Sequence, residues 1–215
     1  MHLLLTDRLT CPRCGPDFGL ILLADGVEER RVSHGRLGCA NCREEYPVEA
    51  GFADLRPPPR GPLPQEETRP GAEPDPDYWE SLRLAALLGV EKGPGFAFLH
   101  GSAAAAASRI AGMVEDLEVV AAGPGAHAWE EAAGVSRMAA SVPLPFYTGT
   151  LRGAILTSLT EEPEGLLEEA VRCVAPGARV VVLQAPEGTR RSLEEAGCQV
   201  LLEEEGVVVA AAGRA

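Results

Sequence analysis

The sequence predicts an α/β fold, a mainly parallel sheet covered by helices on both faces, with a small β-rich unit in front of it. Three observations carry this. Short apolar runs alternate with helical spacing from Tyr78 onward, four cysteines sit in two close pairs between Cys11 and Cys42, and a proline-rich acidic stretch separates the two regions.

The N-terminal unit has short apolar runs, Leu20 to Leu23 and Tyr46 to Val48, set between turn-forming residues as in a β-ribbon. Residues 57–77, PPPRGPLPQEETRPGAEPDPD, carry no apolar periodicity and read as a stiff linker, which places a boundary between residues 1–56 and 78–215. Tyr78 to Val90 puts Trp79, Leu82, Ala85, Ala86 and Leu88 at helical spacing, with Gly93-Pro94-Gly95 as the stop. Strands are then expected at Phe96 to Leu99, Leu117 to Ala121, Val135 to Ala139, Gly153 to Leu156 and Arg179 to Leu183. Helices are expected at Ala103 to Val114 and Glu161 to Val174. A closing hairpin, Gln199 to Leu202 with Val207 to Ala211, adds one antiparallel edge strand. Alternation of this kind implies parallel strands with their ligand crevice beyond the carboxyl ends.

The 215 residues carry a net charge of -13, spread through the ribbon, the linker and the C-terminal part. Affinity for a phosphate backbone comes largely from Lys and Arg displacing counterions, so this balance argues against nucleic acid as the main partner. The apolar run His2 to Leu5 is too short for an export signal core, and no stretch is long enough to span a bilayer. With paired cysteines and no such signal, a metal site in a reducing, cytoplasmic compartment is expected rather than a disulfide framework.

Cys11-Pro12-Arg13-Cys14 and Cys39-Ala40-Asn41-Cys42 are separated by 24 residues. Two residues between cysteines let both sulfurs of a tight turn face one ion, and two such knuckles complete a closed tetrahedron of thiolates around structural Zn2+. Such a site contributes on the order of 10 kcal/mol to folding. His34 lies between the knuckles but is not needed as a ligand. Cys173 and Cys198 are expected as small buried apolar residues.

The knuckles, the hairpin between them and the tail Glu45-Tyr46-Pro47-Val48-Glu49-Ala50-Gly51-Phe52 resemble the Trm-type zinc-ribbon family, activator subunits of methyltransferases. The resemblance implies a ribbon that docks on a protein partner and is never itself a catalyst. Residues 78–215 are similar in layout to a class I S-adenosylmethionine-dependent methyltransferase, a Rossmann-like fold, most clearly over Leu144-Pro145-Phe146-Tyr147 to Leu156 and over Ala175-Pro176-Gly177 to Val182.

Against that family, the cofactor positions are degenerate. The expected acidic residue and three-glycine loop read Leu99-His100-Gly101-Ser102-Ala103-Ala104-Ala105, so Leu99 replaces the acid, only Gly101 remains, and Ala103 and Ala105 place methyl groups where the backbone should approach the cofactor. The ribose-binding acid is missing at Ala121-Ala122-Gly123, and Ser141 replaces the acid that reads adenine. Leu99, Gly101, Ala103, Ala105, Gly123 and Ser141 are therefore vestigial positions. No catalytic residue is assigned, because His100 and Tyr147 have no chemistry without a cofactor. The expectation is a non-catalytic regulatory or binding protein that does not take S-adenosylmethionine and that works through a protein partner, such as a methyltransferase or translation-related subunit, or through self-association. An active methyltransferase with its own activator ribbon is the alternative, and an RNA-binding ribbon a weaker one.

Overall fold

The computed structural model describes residues 1–63, 77–157 and 164–213. Most of the proline-rich stretch and the expected start of the helix at Glu161 lie outside these residues.

All strands join one sheet. The N-terminal segment, a 3-10 turn over Leu3–Arg8, leads into β1 (Thr10–Cys11), β2 (Gly15–Glu28), β3 (Arg31–Cys39), β4 (Glu45–Glu49) and β5 (Phe52–Asp54). These pair antiparallel in chain order. The α/β part runs α1 (Tyr78–Leu88), β6 (Gly95–His100), α2 (Ala107–Met113), β7 (Leu117–Ala122), β8 (Val135–Ala139) and β9 (Leu151–Thr157), then α3 (Leu166–Cys173), β10 (Val174–Leu183), α4 (Thr189–Glu195), β11 (Gln199–Glu204) and β12 (Val207–Ala211). The full order is β1-β2-β3-β4-β5-β8-β7-β6-β9-β10-β12-β11. From β5 to β10 every pairing is parallel. The chain enters this half at β6, builds outward through β7 and β8, then switches to β9 on the other side, which is the doubly wound arrangement with its switch point at β6.

Three expectations need correction. Helix α1 ends at Gly89, whose φ of 68° is left-handed, rather than at Gly93-Pro94-Gly95. Its buried face is Ser81, Leu84 and Leu88, while Trp79 and Leu82 point outward. The closing hairpin is present, but it adds two antiparallel strands and not one, with β12 interior and β11 at the edge. Composition explains the order: Val207 to Ala210 are all buried, whereas β11 carries Gln199, Glu203 and Glu204 and tolerates water. Finally, Gly101–Ala106 is a 3-10 turn and α2 begins only at Ala107.

The sequence leaves open whether the ribbon docks on its own α/β part. One apolar cluster runs from Leu5, Leu9, Leu37 and Tyr46 of the ribbon into Phe98, Met138, Phe146 and Val182 of the α/β sheet. The opposite face of that sheet is a second cluster, with Ala97, Leu99, Val119 and Ile155 beneath Leu84, Leu88 and Ile110 of α1 and α2. Alternation along each parallel strand serves both faces, as a doubly covered sheet requires.

Several contacts among the described residues join the ribbon to the sheet. Strand β5 pairs in parallel with β8, Ala53 opposite Met138, and Leu55 N–H continues the ladder to the Ala139 carbonyl at 2.9 Å. The N-terminal segment crosses the Leu144–Tyr147 loop, where Thr10 N–H donates to the Pro145 carbonyl and Tyr147 N–H to the Arg8 carbonyl. Arg31 on β3 reaches Glu118 on β7 through two bonds of 2.7 and 2.9 Å, and Ser136 donates to the same carboxylate at 2.6 Å. Arg137 on β8 donates to carbonyls of Ala50 in the β4–β5 turn and of Ala126 and Trp129.

Glu118 is buried, so removing its charge partner or the carboxylate itself leaves uncompensated polar groups across this junction. Glu118→Ala is expected to cost about 3 kcal/mol, read as a shifted denaturation midpoint. Because the core is shared, Cys39→Ser should also lower hydrogen-exchange protection in β8 and in the Leu144–Tyr147 loop. Loss confined to residues 1–56 would contradict the shared core.

Candidate metal centre and rim crevice

Both knuckles are built the same way. Cys11 closes β1 and Cys14 precedes Gly15 at φ 93°, while Cys39 closes β3 and Cys42 precedes Arg43 at φ 61°. The left-handed residue after each second cysteine turns the chain back under the sulfurs. Gly15 announces this in the sequence and Arg43 does not.

The four sulfurs lie within 4.8 Å of one another, with Cys11 to Cys42 at 3.7 Å and Cys14 to Cys39 at 3.8 Å. Zinc–sulfur bonds of about 2.3 Å in a tetrahedron require edges of about 3.8 Å, so the donor set fits the ion. Its second layer is in place as well. The buried Tyr46 hydroxyl stands 3.4 Å from Cys11 Sγ, placed to donate to a thiolate, and Asn41 Nδ2 donates to Cys14 Sγ at 3.3 Å. The Arg60 guanidinium covers the Tyr46 ring at 4.9 Å.

Thiol chemistry points the same way. Burial alone would push the Cys11 thiol up, but the Tyr46 hydroxyl and the backbone N–H groups of Cys14 and Arg13 bring it down to about 7. Burial, with the neighbouring sulfurs behind it, pushes Cys42 up to about 12. Four thiolates this close need a cation to ionise together. His34 is exposed on β3 and outside the cluster. Cys173 and Cys198 are buried, and burial pushes the Cys173 thiol up to about 12, so it is an inert core residue.

A second feature lies beyond the carboxyl ends of β6, β7 and β8. It is a crevice of about 220 Å³ whose wall includes His100, Gly101, Gly123, His127 and Met138, with Phe52 and Arg56 contributed by the ribbon side. No described lining residue carries a carboxylate. Arg56 is committed to Asp54 through bonds of 2.9 and 2.8 Å and to the carbonyls of Gly61 and Pro62.

The six vestigial positions do not share this wall. Gly101 and Gly123 line it. Leu99 is fully buried on the opposite face beneath α1 and α2, and Ala103 is buried in the same cluster. Ala105 faces Trp129 and Glu130, and Ser141 lies past the crevice. Exclusion by the Ala103 and Ala105 methyl groups is therefore corrected. The 3-10 turn carries both away from the crevice, and the two backbones approach closely enough there that a Cβ on Gly123 would stand 2.7 Å from the Gly101 carbonyl oxygen. A Cβ on Gly101, at φ 69°, would fall 2.2 Å from Thr157 Oγ1. His127, Arg56 and Phe52 escaped the sequence reading because no local pattern brings β5 beside β8. Tyr147 packs its hydroxyl against the Gly19 backbone of β2.

No protein-family model matches the chain, and no curated protein sequence matches it either. Among solved structures, several methyltransferases align with part of this chain. A chain of the complex between the Haloferax volcanii Trm112 methyltransferase activator and a methyltransferase aligns at TM-score 0.48 and 15% identity, over 64% of this chain and 91% of that one. The antibiotic-resistance methyltransferase Kmr aligns at 0.43 and 17%, over 63% and 93%. The tRNA (m1A58) methyltransferase TrmI from Aquifex aeolicus aligns at 0.42 and 14%, over 63% and 69%.

Elemental analysis should find one zinc per chain, and folded protein free of zinc or with a knuckle disulfide would refute the site. Tyr46→Phe should keep the fold and weaken zinc about tenfold in chelator competition, by removing the hydroxyl beside Cys11.

Proposed function

We propose that this chain is a non-catalytic binding or regulatory protein, a pseudo-methyltransferase sheet extended by its own zinc-stapled ribbon and working in the cytoplasm through a protein partner or a second copy of itself. The carrying observation is the crevice at the carboxyl rim of β6 to β8. It has about 220 Å³, against about 300 Å³ at the small end of ordinary ligand pockets, and no carboxylate among its described lining residues. S-adenosylmethionine is a sulfur cation with ribose hydroxyls and an adenine amine that all seek acceptors. Each donor left unpaired on entry costs about 1 to 3 kcal/mol. On this reading the crevice does not take that group.

One observation favours a second reading, an active methyltransferase carrying its activator in cis. The ribbon is docked on the α/β sheet of the same chain through the β5–β8 pairing and the Arg31–Glu118 bond. A ribbon that would otherwise seek a methyltransferase surface has already found one here. No helix among the described residues is long and apolar enough to cross a membrane.

Calorimetry on the zinc-loaded chain separates the readings. The expected result at millimolar S-adenosylmethionine is no saturable heat. A dissociation constant in the low micromolar range would overturn the pseudo-enzyme proposal in favour of the second reading.

A further inference from the structure

A groove of about 1070 Å³ lies at the end of the sheet opposite the crevice, between the ribbon and the amino ends of β6, β7 and β9. Both halves of the chain build it. Arg8, Arg30 and Arg31 come from the ribbon side, and Phe96, Asp116 and Arg152 from the α/β side.

The charge in this groove runs against that of the chain. Overall the protein carries -13, yet four arginines line the groove against Asp7, Asp116 and Glu118. Glu118 is spent on Arg31. Arg8, Arg30 and Arg152 are exposed and make no ion pair among the described residues. Arg152 donates only to the Pro94 carbonyl, at 3.3 Å. Most other arginines among the described residues are tied to carboxylates, in surface pairs such as Arg190–Glu194 or half-buried ones such as Arg172–Glu169. Three uncommitted guanidiniums on one groove of an acidic protein make a local anion field.

The position of Arg30 adds an independent observation. Glu28 pairs with Arg31, so Glu29 and Arg30 form a two-residue turn, and both have positive φ, 46° and 65°. This is the turn geometry that Asn-Gly satisfies without strain. A side chain other than Gly, Asn or Asp in the left-handed region costs about 1 to 2 kcal/mol. The hairpin tip thus carries an arginine on the groove at the expense of an easier turn. The His2 ring, edge-on to Phe96 at 6.2 Å, supplies an aromatic floor.

We infer that this groove binds a short, extended acidic peptide segment of a partner protein, with Arg8, Arg30 and Arg152 receiving its carboxylates and the His2–Phe96 floor receiving an apolar side chain. Asp7 and Asp116, which line the groove together with the arginines, repel the unbroken charge of a phosphodiester chain but leave room for spaced carboxylates. The inference rests on the binding-protein reading for where the peptide comes from. The groove lies at the opposite end of the sheet from the crevice, so a cofactor titration and a peptide titration report on separate sites.

The test is fluorescence anisotropy of the zinc-loaded full chain with a blocked, fluorescein-labelled Glu-Glu-Leu-Glu-Glu peptide, beside its Lys-for-Glu counterpart and a single-stranded RNA oligonucleotide. Saturable binding of the acidic peptide alone, weakened by salt, is expected. Arg8→Ala with Arg152→Ala should weaken it about tenfold or more. Replacing Glu29-Arg30 by Asn-Gly should weaken it too while raising the melting temperature, which separates lost binding from lost folding. No saturable binding, binding unchanged in these variants, or tighter binding of the oligonucleotide would each overturn the inference. None of those outcomes bears on cofactor binding, and a positive cofactor titration leaves the groove untouched.

Discussion

Four sulfurs held within 4.8 Å of one another are the constraint from which the ribbon, and through it the long sheet, follows. Without a cation they repel once ionised, and with one they bind the end of β1, the end of β3 and the entry to β4 to a single point. From there β4 turns through Ala50 and Gly51, both at positive φ, and delivers β5 beside β8. A three-residue strand could not hold that place by its own ladder. It is held because the cysteine knuckles draw together the strands behind it and because Arg137 and Arg31 tie the turn and β3 to β8 and β7.

Docking in cis changes how the two halves relate. Edge strand β8 would expose unpaired backbone groups, and β5 covers them. The N-terminal segment lays Leu5 and Leu9 onto the same apolar cluster as Phe98 and Phe146, where no helix stands between β8 and β9 among the described residues. Ribbon and sheet therefore complete each other's cores, and a ribbon of this size has too little surface of its own to do without the help.

The same junction shapes both ends of the sheet. At the carboxyl rim, Phe52 and Arg56 close one side of a small crevice. At the amino rim, the ribbon's N-terminal segment and hairpin tip wall off a much larger groove. An open parallel sheet presents its ligand at the carboxyl rim, which draws attention there first. In this chain the larger cavity and the uncommitted charge lie at the other end.

What the sequence determined alone was local. Two Cys-x-x-Cys knuckles specified the four-sulfur cluster, because the chemistry resides in residue type and spacing over a few positions. The β-branched run Val180 to Val182 and the apolar stretches at Phe96 and Leu117 specified strands, because a fully buried strand has little choice of composition. The α/β class followed from their alternation with helices. Only the tertiary structure decided which way Leu99 and Ala103 face, that Trp79 lies on the outside of α1, that β12 is interior, and that the proline-rich stretch separates two parts of one core. Each of these depends on contacts between residues far apart in the chain. No local periodicity records that Ala53 pairs with Met138 or that Arg31 meets Glu118. The conserved quantity in such contacts is burial of complementary surface, and that exists only once the chain has closed on itself.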